Sequence, residues 1–207
     1  RRQRQMCIRD STKLAEQNKL SGNVLRDQVR RMIKDSRSER FVENFINQWL
    51  ELDKLNGLNV TPALLASARR EPVEFFKFLV AENLSYSNLI DPKFVVVDGT
   101  LAQPYQLKGA SRNFTRVKVE PSSMRGGLLG QAAFMMMTSE GKRTSIVQRG
   151  AWILRKLLHA PPPPPPPNVP QLEEQGKKKR LNAREMLEAH SSIAVSYTHL
   201  RAHETRH

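Results

Sequence analysis

The chain has 207 residues, enough for one domain of ordinary size or two small ones. Its hydrophobic share of 39% is low for a well-packed globule, and its formal net charge of +14 raises nucleic acid, an anionic surface or an acidic polymer as partners. No run of about 18 apolar residues exists, which excludes a membrane-spanning helix, and the single cysteine, Cys7, says nothing about redox compartment.

The first residues and the last are read together, because their codons are related. Arg1 to Ser11 can be encoded with the stretch AGATGTGTATAAGAGACAG. Val195 to Thr205, preceded by the end of an Ala194 codon, can be encoded with its reverse complement, CTGTCTCTTATACACATCT. Unrelated protein termini have no reason to be encoded by complementary DNA. Both stretches resemble the transposase adapter pair used in sequencing-library preparation, so residues 1–11 and 195–207 are read as artefact. Arg1 is not an initiator and no signal peptide is visible, so the sequence is taken to begin inside something longer. The genuine region is then Thr12 to Ala194, with 28 Lys+Arg against 18 Asp+Glu, and the charge falls from +14 to +10. Cys7 leaves the count. So do His199, His203 and His207, whose i, i+4, i+8 spacing would put three metal ligands on one helix face. No metal is assigned to them.

Between the flanks, the apolar positions from Val24 to Ile33 follow a helical spacing. Phe41, Val42, Phe45, Ile46, Trp49, Leu50 and Leu52 make the clearest amphipathic stripe, and Asn56-Gly57 is read as its stop. Thr61-Pro62 is a cap followed by proline at the first helical position. The helix it opens carries Pro72, which predicts a kink or split. Ser85 to Ile90 reads as a short helical turn. Phe94 to Asp98 and Phe114 to Val119 are the only strand-like runs, so the sheet content is a two-stranded ribbon at most. The stretch LLGQAAFMMMTS (128–139) predicts a buried helix, with Met135, Met136 and Met137 as core filler rather than a cofactor box. Thr144-Ser145 precedes a helix carrying Ile146, Val147, Trp152, Ile153, Leu154, Leu157 and Leu158. Pro161 to Pro167 predict a polyproline II rod, and Leu181 to His190 one further helix. The fold class expected is mainly α: two small helical subdomains, a short ribbon and a polyproline II segment before the last helix.

No chemistry can be named from the residues alone. Gly126-Gly127 and Gly130 lack the spacing and the Lys-Ser/Thr of a phosphate loop. Nothing in the sequence gathers His159, His190 and carboxylates into a ligand set, and His190 reads as a helix-terminal residue. Glu39, Glu43, Glu71 and Glu74 lie on helices and read as surface glutamates rather than a catalytic pair. Lys177 to Arg180 have no interleaved aromatics, so a solvated linker is favoured over a nucleic-acid contact. The proline run reads as a spacer rather than a ligand for a polyproline-recognising partner.

Read in order, the pieces become specific. RMIKDSRSERFVENFINQWLELDKL (31–55), LIDPKFVVVDGTLAQPYQL (89–107), VEPSSMRGGLLGQAAFMMMTS (119–139) and SEGKRTSIVQRGAWILRKLLHAPPPPPPPNVPQL (139–172) together resemble the planctomycete-type multi-domain secreted cytochrome c family. In it a domain of unknown function designated DUF1592 is followed by one designated DUF1588. The resemblance covers nearly all of Thr12 to Ala194, with residues 12–104 similar to the first domain and 105–194 to the second. Two positions depart from the pattern: Ile146, where the family usually has proline, and Pro72 within a helix.

The resemblance implies an exported parent, periplasmic or at the cell surface, with a redox or cell-surface partner. Downstream of a segment like Leu187 to His190, its members carry the Cys-x-x-Cys-His of covalent c-type haem attachment, expected here just beyond Ala194. No catalytic, cofactor-binding or metal residue is assigned to this chain, and haem is expected only in the parent. Arg125, Gly126, Gly127, Arg149, Gly150 and Trp152 are implied as structural motif residues. The alternative is a basic module for acidic polysaccharide, nucleic acid or a polyproline-recognising partner, with nucleic acid disfavoured. A third reading, hydrolysis of cell-surface polymer, needs a carboxylate pair the sequence does not reveal.

Overall fold

The computed structural model describes residues 10–120, 123, 125–140, 143–162, 185 and 188. Among these the chain is mainly helical, in two compact units, Arg1–Met137 and Thr138–His207.

In the first unit, helical residues 10–16 lead to α1 (Gly22–Lys34), which buries no residue. Leu25, Val29, Met32 and Ile33 stay exposed on it. Helix α2 (Ser38–Leu50) buries Val42, Ile46 and Leu50, one per turn, while Phe41 of the expected stripe is 68% exposed. Phe45 stacks between Phe41, Trp49 and Phe76 with centroid separations of 5.5 to 6.1 Å. The helix stops before Asn56-Gly57, which corrects the boundary read from sequence. Glu51 takes a left-handed conformation (φ 57°, ψ 46°), and a 3₁₀ turn, Leu52–Leu55, follows. That reversal turns Leu52 and Leu55 inward, where both are fully buried.

Helix α3 (Pro62–Ala81) begins as the sequence predicts: the Leu64 N–H donates to the Thr61 hydroxyl at 3.4 Å, with Pro62 at the first position. It runs through Pro72 without the split expected from sequence. Pro72 cannot donate to the carbonyl four residues back, but it is buried along with Ala68, Val73, Phe75 and Leu79, and that packing holds the helix together across it. After a 3₁₀ turn at Tyr86–Leu89, strand β1 (Phe94–Val97) is buried on both faces. It pairs antiparallel with β2 (Thr115–Lys118) in the register Phe94↔Lys118 to Val97↔Thr115.

Between the strands lies α4 (Gly99–Tyr105), a helix the sequence did not suggest because Gly99 and Pro104 sit within it. Asp98 starts it, accepting the Leu101 N–H at 3.0 Å. The long helix expected over 128–139 resolves into a 3₁₀ turn, Leu128–Gly130, and a short α5 (Ala132–Met137). Ala132, Ala133 and Phe134 of α5 are buried, and Met136 packs against a core of Ala68, Val95, Val97, Leu101 and Tyr105. Helix α3 touches α2, α4, α5 and β1, and so centres the unit.

The second unit contains a two-residue hairpin, β3 (Ser139–Glu140) against β4 (Arg143–Thr144), then α6 (Ile146–Lys156). The Gln148 N–H donates to the Ser145 hydroxyl at 3.3 Å, which caps α6. Ile146 occupies the first helical position, where proline would also fit because no partner for its N–H is needed. Cys7, Pro163 to Pro167, Lys177 to Arg180, His190, His199, His203 and His207 lie outside the described residues, as does most of the expected last helix apart from helical Glu185 and Glu188.

Candidate functional site

The one carboxyl of the first unit with a strongly shifted pKa, among the described residues, is Glu71, one of the four glutamates read from sequence as surface residues. It is 1% exposed, which corrects that reading. The reason is its phase. Leu64, Ala68, Glu71, Phe75 and Leu79 recur at spacings of three and four, so Glu71 sits in the stripe that α3 turns toward the core. Glu39 and Glu43 are exposed as expected, while Glu74 is half-buried. Lys77 bridges Glu39 at 3.1 Å and Glu74 at 3.4 Å, while Arg70 meets Glu74 at 2.7 Å and Glu43 at 3.7 Å. These pairs are worth little individually.

Glu71 is satisfied by partners distant in sequence. The Tyr105 hydroxyl donates to its carboxyl, lying 2.8 and 2.9 Å from the two oxygens. The Ala132 N–H donates to Glu71 Oε2 at 2.9 Å and lies 2.6 Å from Tyr105 Oη. The Arg125 guanidinium stacks over the Tyr105 ring, 4.4 Å from its centroid. Burial pushes the Glu71 carboxyl up to about 8, outweighing the Ala132 and Tyr105 hydrogen bonds and the Arg125 charge, which favour the anion. The Tyr105 phenol is also raised, by burial first and then by Glu71. Beside this node, the Ser67 hydroxyl donates to Asp98 Oδ2 at 2.6 Å, tying α3 to the cap of α4.

A carboxyl held near 8 could act as a general acid or base in a cleft. Here both Glu71 and Tyr105 are buried, and each hydrogen bond is to another part of the chain rather than to open space. The arrangement therefore acts as a clamp that joins α3, α4 and α5. Paired to it is the Arg125-Gly126-Gly127 segment. Gly126 and Gly127 have φ of 134° and 62°. A Cβ on Gly126 would lie 2.9 Å from the Pro92 carbonyl oxygen; one on Gly127 would lie 2.7 Å from that of Leu89 and closer still to that of Ile90. Only glycine permits both the backbone conformation and the close approach, and together they deliver Arg125 to Tyr105.

In the second unit, Arg149 donates from Nε to Thr138 Oγ1 at 3.3 Å and from Nη2 to Thr144 Oγ1 at 3.4 Å, which braces the hairpin against α6. Partial burial lowers its pKa. Trp152 is buried. A Cβ on Gly150 would meet nothing within 4 Å, so nothing in the structure explains glycine there. The six motif residues thus fall into two groups, Arg125 to Gly127 in one unit and Arg149 to Trp152 in the other. Among the described residues no three His, Cys, Asp or Glu side chains are grouped as metal ligands, and no helix is long and apolar enough to cross a membrane.

No curated protein and no solved structure matches the chain. Residues 9–107 match the family model PSD4, described as a protein of unknown function (DUF1592). Residues 125–197 match PSCyt3, described as a protein of unknown function (DUF1588). The chain carries a DUF1592 span followed by a DUF1588 span, in the order that the sequence resemblance implied.

Proposed function

We propose that the chain is a non-catalytic helical scaffold from an exported, c-type-cytochrome-like multi-domain protein that is redox-linked in its full-length parent. The observation that supports the scaffold part of this reading is the use of Glu71; the exported, redox-linked parent rests on the sequence resemblance. The one strongly shifted carboxyl of the described residues is enclosed and hydrogen-bonded to Tyr105 and Ala132, where it locks helices together instead of facing a substrate. In this reading residues 12–104 and 105–194 are the two modules and residues 1–11 and 195–207 are translated adapter. The haem-attachment Cys-x-x-Cys-His follows Ala194 in the parent, which is periplasmic or held at the cell surface. The test is to extend the gene past Ala194 from genomic DNA and to produce the longer protein in a host that matures c-type cytochromes. A Cys-x-x-Cys-His in the extension and a pyridine haemochrome spectrum of covalent haem support the reading. An extension without those cysteines, or one that carries them and takes up no haem, overturns it.

A further inference from the structure

A cleft of about 340 Å³ opens in the first unit where the end of α1 and the start of α2 face the second half of α3 and the β1–β2 ribbon. Val42, Phe78, Val96 and Phe114 give it an apolar floor, and Lys34, Lys77 and Arg116 bring cations to its walls. Its volume is that of a small-molecule site.

The charged groups in the cleft are not equivalent. Asp35 is paired with Arg37, and Glu39 and Glu74 are held by Lys77, with Arg70 also on Glu74. Every carboxylate lining the cleft thus has a cation. Lys34 and Arg116 are different: neither has an ion pair among the described residues. Arg116 is nevertheless held in place. Its guanidinium lies 4.5 Å from the Phe94 ring centroid and 5.3 Å from that of Phe78. These rings accept no conventional hydrogen bond, and a guanidinium carries five N–H donors in a fixed fork that suits a carboxylate or phosphate. The pairing of Val96 with Arg116 fixes this side chain at the cleft rather than on the free end of a loop.

We propose that this cleft binds a small organic anion, a carboxylate or phosphate carried on a short apolar body. The anionic group is held by Arg116 and Lys34, and the body lies on Val42, Phe78, Val96 and Phe114. Neither half suffices alone: the cations are exposed to water, which weakens a bare ion pair, and the apolar floor has no means of orienting a neutral chain.

The test uses the full 207-residue chain and amide chemical-shift titrations with four probes: hexanoate, hexyl phosphate, hexanol and inorganic phosphate. The expected result is saturable shifts centred on Lys34, Val96, Phe114 and Arg116 with hexanoate, hexyl phosphate or both; which of the two binds more tightly identifies the anionic group. Hexanol and inorganic phosphate bind at least about tenfold more weakly, because each lacks one of the two contacts. Arg116→Gln weakens binding about tenfold, and Lys34→Gln, at the exposed end of α1, about threefold. Absence of saturable shifts with both anions overturns the proposal. So does hexanol binding as tightly as hexanoate, inorganic phosphate binding as tightly as hexyl phosphate, or affinity that survives both substitutions. Should Arg116→Gln lose its cooperative thermal melt, Lys34→Gln alone decides between the same outcomes.

Discussion

Glu71 carries its proton in the folded chain near neutral pH, because burial outweighs the hydrogen bonds and the Arg125 charge that favour the anion. Its pKa is raised from an ordinary 4.5 to about 8, so the native state holds the proton more tightly than the unfolded chain. The stability this contributes is complete below about pH 4.5 and is lost as pH rises through about 8, with a slope no steeper than about 1.4 kcal/mol per pH unit. Urea unfolding across that range should show the decline, and Glu71→Gln, which keeps the shape and stays neutral, should flatten it. Glu71→Ala should also flatten it, and below about pH 4.5, where the wild-type contribution is complete, should cost roughly 2–4 kcal/mol by leaving a hole beside the Tyr105 hydroxyl. A decline of equal slope in Glu71→Gln would assign the pH dependence to another group. Two glycines give a second contrast. Gly127→Ala forces a Cβ against the carbonyls of Leu89 and Ile90 at a φ of 62° and should cost about 3 kcal/mol or more. Gly150→Ala meets open space in a helix and should raise stability by about 0.5–1 kcal/mol. Denaturation midpoints for the two variants should therefore move in opposite directions.

At the scale of elements, Asp98 does two jobs: it caps α4 through Leu101 and receives the Ser67 hydroxyl from α3. Asp98→Ala should cost about 2–3 kcal/mol by removing both, while Asp98→Asn, which can still cap, should lose about 1 kcal/mol or less; calorimetric melting separates them. Elements with local signals were legible in the sequence. Thr61-Pro62 announces α3, Ser145 announces α6, and the valines of β1 announce a strand. What failed depends on distant packing. Helix α2 ends at Glu51 because Leu52 and Leu55 have a core to enter, and α4 forms despite Gly99 and Pro104 because Asp98 and Tyr105 anchor it at both ends. Glu71 was misjudged for the same reason: its partners lie 34 and 61 positions away. One local sign did exist, the acid set in the apolar stripe of α3 between Ala68 and Phe75.

For the whole molecule, the matched family spans and the compact units divide the chain at different places. The first span ends at residue 107 and the second begins at 125, yet the first unit continues to Met137. The residues 125–137 that open the second span fold with the first, through Arg125 on Tyr105, the two glycines against residues 89–92, and Ala132 on Glu71. The resemblance supplied the motif, and only the folded chain supplied its partner. The measurement that tests this clamp most directly is native-state hydrogen exchange of the Ala132 amide in the full chain, followed through rising denaturant. If the clamp is integral, that amide opens only with the whole unit, at the same free energy as the amides of buried Phe75 and Leu79 in α3. Exchange of Ala132 through a far cheaper local opening, with α3 still protected, would show that residues 125–137 are an appendage and would contradict the scaffold described here.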